Sequence, residues 1–396
     1  MSEGKFDFII SGAGLVGCLV TLQLAKSGYK CCLIEKNKAL NKTSFKDYSP
    51  LSLNYRSYLL LKKFGLWDKL IQHIYPIKNL FLKSYHSLNR LRFEAKDIEL
   101  DELGFVIDRR VFTQVLFDEV KQSKNISLHN ESIINKLGNN KKNEFFGVYL
   151  DSTLSKKLLT KYLIISDGTE SSLKNFLDIK SKEIDYSQTS FVFNANASFE
   201  SSTAIQIFNK YGIFAMIPYA ENKINLILTI NNKYTSSFVG RNKQIDDMRI
   251  KEIFKNYINN LDSCNYVSEY NLITSRTHEI ARKNILLLGN SSQLLHPVGA
   301  QGFNLAIRHI EMLMDHIKSE NLDMLSLSKD IDKSRLDTFD HIDLATKILA
   351  NDKIPSMLMT FGIINTVKSS RLLRNIFLKK ILGLEGYAYL TVGSKA

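Results

Sequence analysis

The chain has 396 residues, 44% of them hydrophobic, and a formal charge of +13. That size buries a large core and suits two domains. The basic balance fits nucleic acid, an anionic membrane or acidic ligands, but the lysines are spread widely and no nucleic-acid-binding module is present, so nucleic acid is not an expected partner. Four cysteines, Cys18, Cys31, Cys32 and Cys264, lack metal-ligand spacing, and adjacent Cys31 and Cys32 on a strand would face opposite ways; no metal is expected. This is a reduced, cytoplasmic pattern. Glu3 and Asp7 lead straight into a strand, unlike a signal peptide. The uncharged stretch Ile354–Val367 is too short to span a bilayer, so any membrane contact is expected from the side.

The first segment reads strand (Phe6–Ser11), glycine turn (Gly12-Ala13-Gly14-Leu15-Val16-Gly17), helix and strand (Lys30–Glu35). Leu15, Leu19, Leu22 and Ala25 give the helix its apolar side, and Gly28 stops it. A helical stretch covers Tyr55–Ile71, and two or three short strands lie between Pro76 and Leu100. Val111–Lys121 reads as a helix, and Phe145–Leu150 and Tyr162–Ser166 as strands. Alternation then dominates in Ser190–Phe199, Thr203–Phe208, Gly212–Pro218 and Lys223–Ile230, predicting an antiparallel sheet. A helix is expected over Asp246–Leu261 and a strand near Leu272–His278. Ile285–Leu288 is a buried strand, followed by Gly289–Asn290, a loop with His296, Pro297, Gly299 and Gly302, and a helix whose apolar positions are Phe303, Ala306, Ile307, Ile310, Leu313 and Met314. His309 is expected on that helix's surface and Arg308 to pair locally.

The chemistry rests on three glycine-bearing turns. Gly12, Gly14 and Gly17 permit a tight turn and close backbone approach to a pyrophosphate at a helix N-terminus, and Glu35, 18 residues beyond Gly17, would accept from ribose hydroxyls, with Lys36 beside it. Ser166-Asp167-Gly168-Thr169-x-Ser171 ends a strand; alone it is an ordinary Asp-Gly turn. Gly289–Asn290 ends the next strand, and the loop after Pro297 sets backbone N–H groups before a helix.

In this order and spacing the three turns resemble those of the FAD-dependent aromatic-ring hydroxylases (class A flavin monooxygenases), nearest their ubiquinone-pathway branch. The resemblance runs from about Phe6 to Gly383 and is strongest over Gly289–Arg308. It implies FAD bound by Gly12 to Gly17, Glu35, Lys36, Arg110, Asp167, Gly289, Asn290, Pro297 and the backbone N–H groups of Gly302, Phe303 and Asn304. The implied fold is α/β: a discontinuous Rossmann-like FAD-binding domain (1–75, 104–180, 274–345), an inserted antiparallel sheet for substrate (76–103, 181–273) and a C-terminal helical region (346–396). The implied activity is hydroxylation of a polyprenylated phenol, at C1 of 2-polyprenyl-6-methoxyphenol, with O2 as co-substrate and a flavin C4a-hydroperoxide as oxygen donor.

No second glycine fingerprint occurs, so the electron donor, NAD(P)H or a reductase partner, would dock transiently. His296 is either a proton carrier or a structural part of the turn, and no catalytic acid or base is assigned. Phe191, Phe193, Phe208, Phe214, Met216 and Tyr219 are candidates for the substrate wall, with sheet core the expectation for most. Near the C-terminus Leu372, Leu373, Ile376, Phe377 and Ile381 form a stripe among basic residues, suited either to an anionic membrane surface or to packing on the chain's own domain or partner subunits. The expected location is cytoplasmic, with peripheral contact at the inner face of the cytoplasmic membrane, and a ubiquinone-biosynthesis complex is a candidate partner.

Two departures stand out. Asp47-Tyr48-Ser49 has serine where the family carries arginine near the flavin, and Gly299-Ala300-Gln301-Gly302 exchanges the first two residues of the family order. Two further readings stay open: a flavoenzyme of this fold acting on another aromatic or isoprenoid substrate, and, motivated by these departures, a non-catalytic member that stabilises a biosynthetic complex.

Overall fold

The computed structural model describes residues 4–38, 50–84, 90–138, 145–151, 156–240, 242–318, 322–349, 362 and 365–384. Ser49 and its neighbours lie outside the described residues, as does most of Ile354–Val367. The helices are α1 (Leu15–Lys26), α2 (Tyr55–Lys63), α3 (Trp67–Leu70), α4 (Arg109–Gln122), α5 (Ser172–Phe176), α6 (Asp247–Phe254), α7 (Gln301–Lys318), α8 (Met324–Leu349) and α9 (Arg371–Ile381).

One eight-stranded sheet is built on parallel strands. Gly4–Ser11 lies between Cys31–Ile34 and Lys156–Ile165, and Ile126–His129 and Ile285–Leu287 extend the parallel set on either side. Both faces are covered, which is why these strands read as continuous apolar runs. One face packs on α1, α2, α4 and α7 through Phe8, Ile10, Cys31, Leu33 and Leu286. The other packs on Ile133–Leu137 and Phe146–Asp151 through Ile9, Cys32, Ile34 and Leu287. Cys31 and Cys32 thus enter opposite core clusters, as strand alternation requires.

The second eight-stranded sheet contains Ser181–Phe199, Thr203–Asn209, Gly212–Ala220 and Lys223–Asn231, with the long strand Ile258–Thr277 on one side. Asn79–Ser84 joins it in parallel beside Thr203–Asn209, and Arg90–Glu94 forms the far edge. The third short strand of that region, Ile74–Ile77, pairs instead in a three-stranded sheet with Gly104–Asp108 and Pro50–Asn54.

Two expectations fail. The helix expected over Asp246–Leu261 ends at Phe254, and the chain is extended from Ile258. Tyr257, Ile258 and Leu261 mimic helical spacing, but strand pairing of Ile258 with Phe199 and of Leu261 with Ala197 buries them in the sheet core. Tertiary pairing here overrides the local pattern. His309 is not on a surface: it is fully buried on α7. Among the described residues no helix is long and apolar enough to cross a membrane.

Candidate active site

The first glycine turn closes over the end of Gly4–Ser11. Gly12 has φ +95°, and a Cβ there would lie 2.6 Å from the Asp167 Cα; a Cβ at Gly17 would lie 1.8 Å from the Gly12 carbonyl oxygen. These two glycines therefore exist for backbone packing. Gly14 differs: it caps α1 with no side-chain hydrogen bond, and nothing lies within 4 Å of where its Cβ would be. The space beside it is the cavity, which leaves the first N–H groups of α1 open to an anion.

Glu35 is buried at the end of the next strand. It accepts from Ala13 N at 2.8 Å and from Asn37 N and Nδ2 at 3.0 and 2.9 Å, which fixes the carboxylate at the cavity wall. Asp167 meets this turn from the neighbouring strand end. Ser11 Oγ donates to its Oδ2 at 3.3 Å, while Oδ1 is buried without a partner in the protein. Burial raises the Asp167 pKa against the opposing hydrogen bonds of Ser171 and Ser11. A buried acceptor left open beside a cavity is a place for a ligand donor.

Gly289, at φ +65°, packs on Val16 of α1, and Asn290 is exposed at the cavity. Downstream, the His296 ring stays in the turn: Val298 N donates to its Nδ1 at 3.3 Å, which makes Nε2 the donor to Gln188 Oε1 at 3.2 Å. Burial depresses its pKa to about 4, so the ring is neutral at pH 7 and serves as a strut between loop and sheet. Pro297 and Gly302 to Asn304 border the cavity. The side chain of Asn304 makes four contacts: its Oδ1 accepts from Asn54 N at 3.0 Å and Ser57 Oγ at 2.7 Å, and its Nδ2 donates to Ser52 O at 3.0 Å and Ala300 O at 2.7 Å. Both Gly299 (φ +70°) and Ala300 (φ +51°) are left-handed, so the exchanged order puts alanine where glycine is less strained.

One cavity of about 1120 Å³ joins these parts. Of the residues expected to hold the cofactor, Gly12, Gly14, Leu15, Val16, Glu35, Lys36, Asp167, Gly289, Asn290, Pro297, Gly302, Phe303 and Asn304 line it. Ala13 and Gly17 stand behind the wall as packing and hydrogen-bonding residues. Arg110 is not among the lining residues: it grips Asp108 with Nε and Nη2, and its neighbour Arg109 faces the cavity. Helix phase decides between the two, and sequence alone does not fix that phase at an N-terminus. Among the aromatic candidates only Phe208 lines the cavity, while Phe191, Phe193, Phe214 and Met216 belong to the sheet core.

The sequence reading missed the residues that lock the wall from behind. Arg335 is fully buried and donates to Thr277 O and Oγ1 and to Ser292 O, tying α8 to the turn after Gly289. Nothing in a surface-like arginine on a polar helix signals this. Asn54 had a signal, because its Oδ1 caps α2 by accepting from Ser57 N at 2.9 Å.

The group that fits is FAD: an open helix N-terminus for pyrophosphate, a fixed carboxylate for ribose hydroxyls and a second N–H-lined loop at the far end of the same cavity. Bound there, FAD supplies the redox chemistry that activates O2.

Residues 5–341 match the FAD binding domain family. The chain is 26% identical over 315 residues to the ubiquinone hydroxylase UbiM of Neisseria meningitidis, covering 78% of this chain and 67% of that protein. It is 22% identical to the 3-demethoxyubiquinol 3-hydroxylase of Escherichia coli, covering 80% of each. Its fold matches p-nitrophenol 4-monooxygenase PnpA of Pseudomonas putida with TM-score 0.77 at 13% identity, over 98% of this chain and 100% of that one. Both the glycine-turn geometry and the match over most of its length place the chain in the FAD binding domain family, as an FAD-dependent monooxygenase.

Proposed function

We propose that the protein hydroxylates the aromatic ring of a polyprenylated phenol in ubiquinone biosynthesis, at C1 of 2-polyprenyl-6-methoxyphenol. The observation that carries this is the lining of the cavity. Besides the loop at Pro297, it is lined by apolar residues Leu80, Leu82, Ile217 and Leu272 of the large sheet and by Ile381 and Leu382 at the end of α9. A ring with a long hydrocarbon tail suits such a lining. The names of UbiM and of the Escherichia coli hydroxylase point to the same pathway.

In this reading the protein binds, orients and excludes water. The polar end of the cavity holds FAD through the glycine turns and Glu35. The sheet and α9 hold the tail, and the ring lies where the two walls meet. His296, neutral and hydrogen-bonded on both nitrogens, holds the loop. The electrons come from NAD(P)H or a reductase partner, and the enzyme works at the inner face of the cytoplasmic membrane, within a ubiquinone-biosynthesis complex.

Quinone profiling of cells lacking the gene tests the reading. Accumulated 2-polyprenyl-6-methoxyphenol, cured by the intact gene but not by one carrying Gly12→Val and Gly14→Val, is the expected result. Unchanged ubiquinone would remove the pathway assignment and leave a monooxygenase with another aromatic substrate.

A further inference from the structure

Helix α9 has an inner face packed on the fold and an outer face that none of the described residues covers. Inward, Leu378 and Leu382 are buried with Leu91 and Phe93 of the sheet edge, and Phe377 stacks on Phe93 at 5.5 Å. Arg374 reaches Asp97 Oδ2 at 2.6 Å. At the helix end, Ile381 O accepts from Gln301 Nε2 at 3.3 Å and Leu382 O accepts from Arg56 N at 3.2 Å. The helix is thus seated firmly between the sheet edge and the flavin loop, with Phe377, Ile381 and Leu382 forming part of the cavity wall.

Outward, Leu372 is 70%, Ile376 52% and Leu373 39% exposed. At ~100° per residue these three share one arc of the helix, and exposed Lys379 continues that arc one turn later, while Lys380 reaches His341 on the cavity side. Residues 365–382 carry no acid, and of their five cations Arg374 is held by Asp97 and Lys380 by His341, so Arg371 and Lys379 are the ones that flank the outward arc. An apolar arc among cations alone complements a surface that is greasy within and anionic at its rim. A protein partner would have to bring its own carboxylates to each lysine, whereas an anionic bilayer supplies both chemistries at once.

We infer that the outer face of α9, Leu372, Leu373 and Ile376 with Arg371 and Lys379 around them, rests on an anionic phospholipid bilayer, so that the apolar part of the cavity behind this helix receives a lipid tail from that surface. The tail-delivery half rests on the substrate class proposed above; the docking half does not. Because α9 walls the cavity and ends on the flavin loop, the tail does not have to cross bulk water between bilayer and site.

Flotation of the full-length, FAD-loaded protein with vesicles provides the test. Vesicles of phosphatidylcholine with about one-third phosphatidylglycerol are expected to bind it at least roughly tenfold more tightly than phosphatidylcholine alone. The triple variant Leu372→Ser, Leu373→Ser, Ile376→Ser is expected to lose roughly tenfold or more of that binding. The pair Arg371→Glu, Lys379→Glu is expected to lose binding and most of its salt dependence. All these side chains are exposed, so flavin content and unfolding temperature should be kept in both variants. Absence of wild-type binding to anionic vesicles overturns the inference, as does equal binding by the triple variant. A wild-type dimer that the triple variant converts to monomer, without vesicle binding, assigns the face to a second copy and also overturns it. Turnover of a short-tailed phenol in solution is measured alongside. If it persists while vesicle binding fails, docking alone falls; if vesicles bind but no prenylated phenol of any tail length is turned over, docking stands and the substrate reading falls.

Discussion

The cavity has two walls made by different means. The wall proposed to hold the cofactor is largely backbone: Gly12 and Gly289 let turns pack closely on Asp167 and Val16, while Gly14 and Gly302 leave open space ahead of helices. The wall proposed for the substrate is largely side chain: Leu80, Phe208, Ile217, Leu272 and Ile381 come from four strands and a helix spread from residue 80 to residue 381. The contrast teaches that binding a shared cofactor constrains local sequence tightly, while binding a particular ring or tail constrains only a surface that many sequences can build.

The largest expected effect is on the cofactor wall. Gly12→Val puts side-chain carbons into the Asp167 backbone at a left-handed position, so the purified protein should be colourless, with FAD affinity down by more than roughly a hundredfold. Retention of yellow flavin would mean that the turn is not the pyrophosphate cradle. Next is the joint behind that wall. Asn304→Leu removes four hydrogen bonds and orphans buried partners, so urea unfolding should show a loss of about 2–4 kcal/mol.

For the histidines of the loop and of α7, the test is pH. Burial lowers the pKa of His296 to about 4 and that of His309 to about 3. Since the unfolded rings titrate near ~6.5, the unfolded chain takes up protons first as pH falls. Stability from these groups is therefore full above about pH 6.5 and is lost on the way down to those values. The variant His309→Leu should lose less stability than the wild type between pH 7 and 5, by about 2 kcal/mol in urea titrations. Equal losses in both would show that water or a proton reaches the ring in the native state.

A smaller effect separates the walls. Ala215→Phe fills the sheet side of the cavity; flavin content should stay constant while KM for the phenol rises about tenfold. If flavin falls instead, the two walls are not independent. The smallest effect concerns the exchanged loop order: Ala300→Gly relieves a φ of +51° and should raise stability by on the order of 0.5–1 kcal/mol.

How far the sequence could be read follows the same division. The turns at Gly12, Asp167 and Gly289 carry a sequence pattern because each lies at a strand end, although Gly12 packs on Asp167 and Gly289 on Val16 from distant parts of the chain. The helix expected to Leu261 failed because Tyr257, Ile258 and Leu261 keep helical spacing while Ile258 and Leu261 pair with a strand some sixty residues earlier. Arg110 was expected at the flavin, yet Asp108 holds it and Arg109 faces the cavity, a difference of one residue in helix phase. His309 was expected in water because a helix pattern does not show that α8 covers it.

The sequence by itself carried the α/β class and the order of the glycine turns, and its family resemblance carried the FAD, since strand runs and glycines that reach positive φ leave their mark in the residue pattern. Only the tertiary structure decided which aromatic residues are core and which are wall, that Asn304 and Arg335 hold the loops from behind, and that α9 closes the cavity with an apolar face left outward. Those features depend on which surfaces meet, and the free energy of burial belongs to pairs of distant segments rather than to either segment alone.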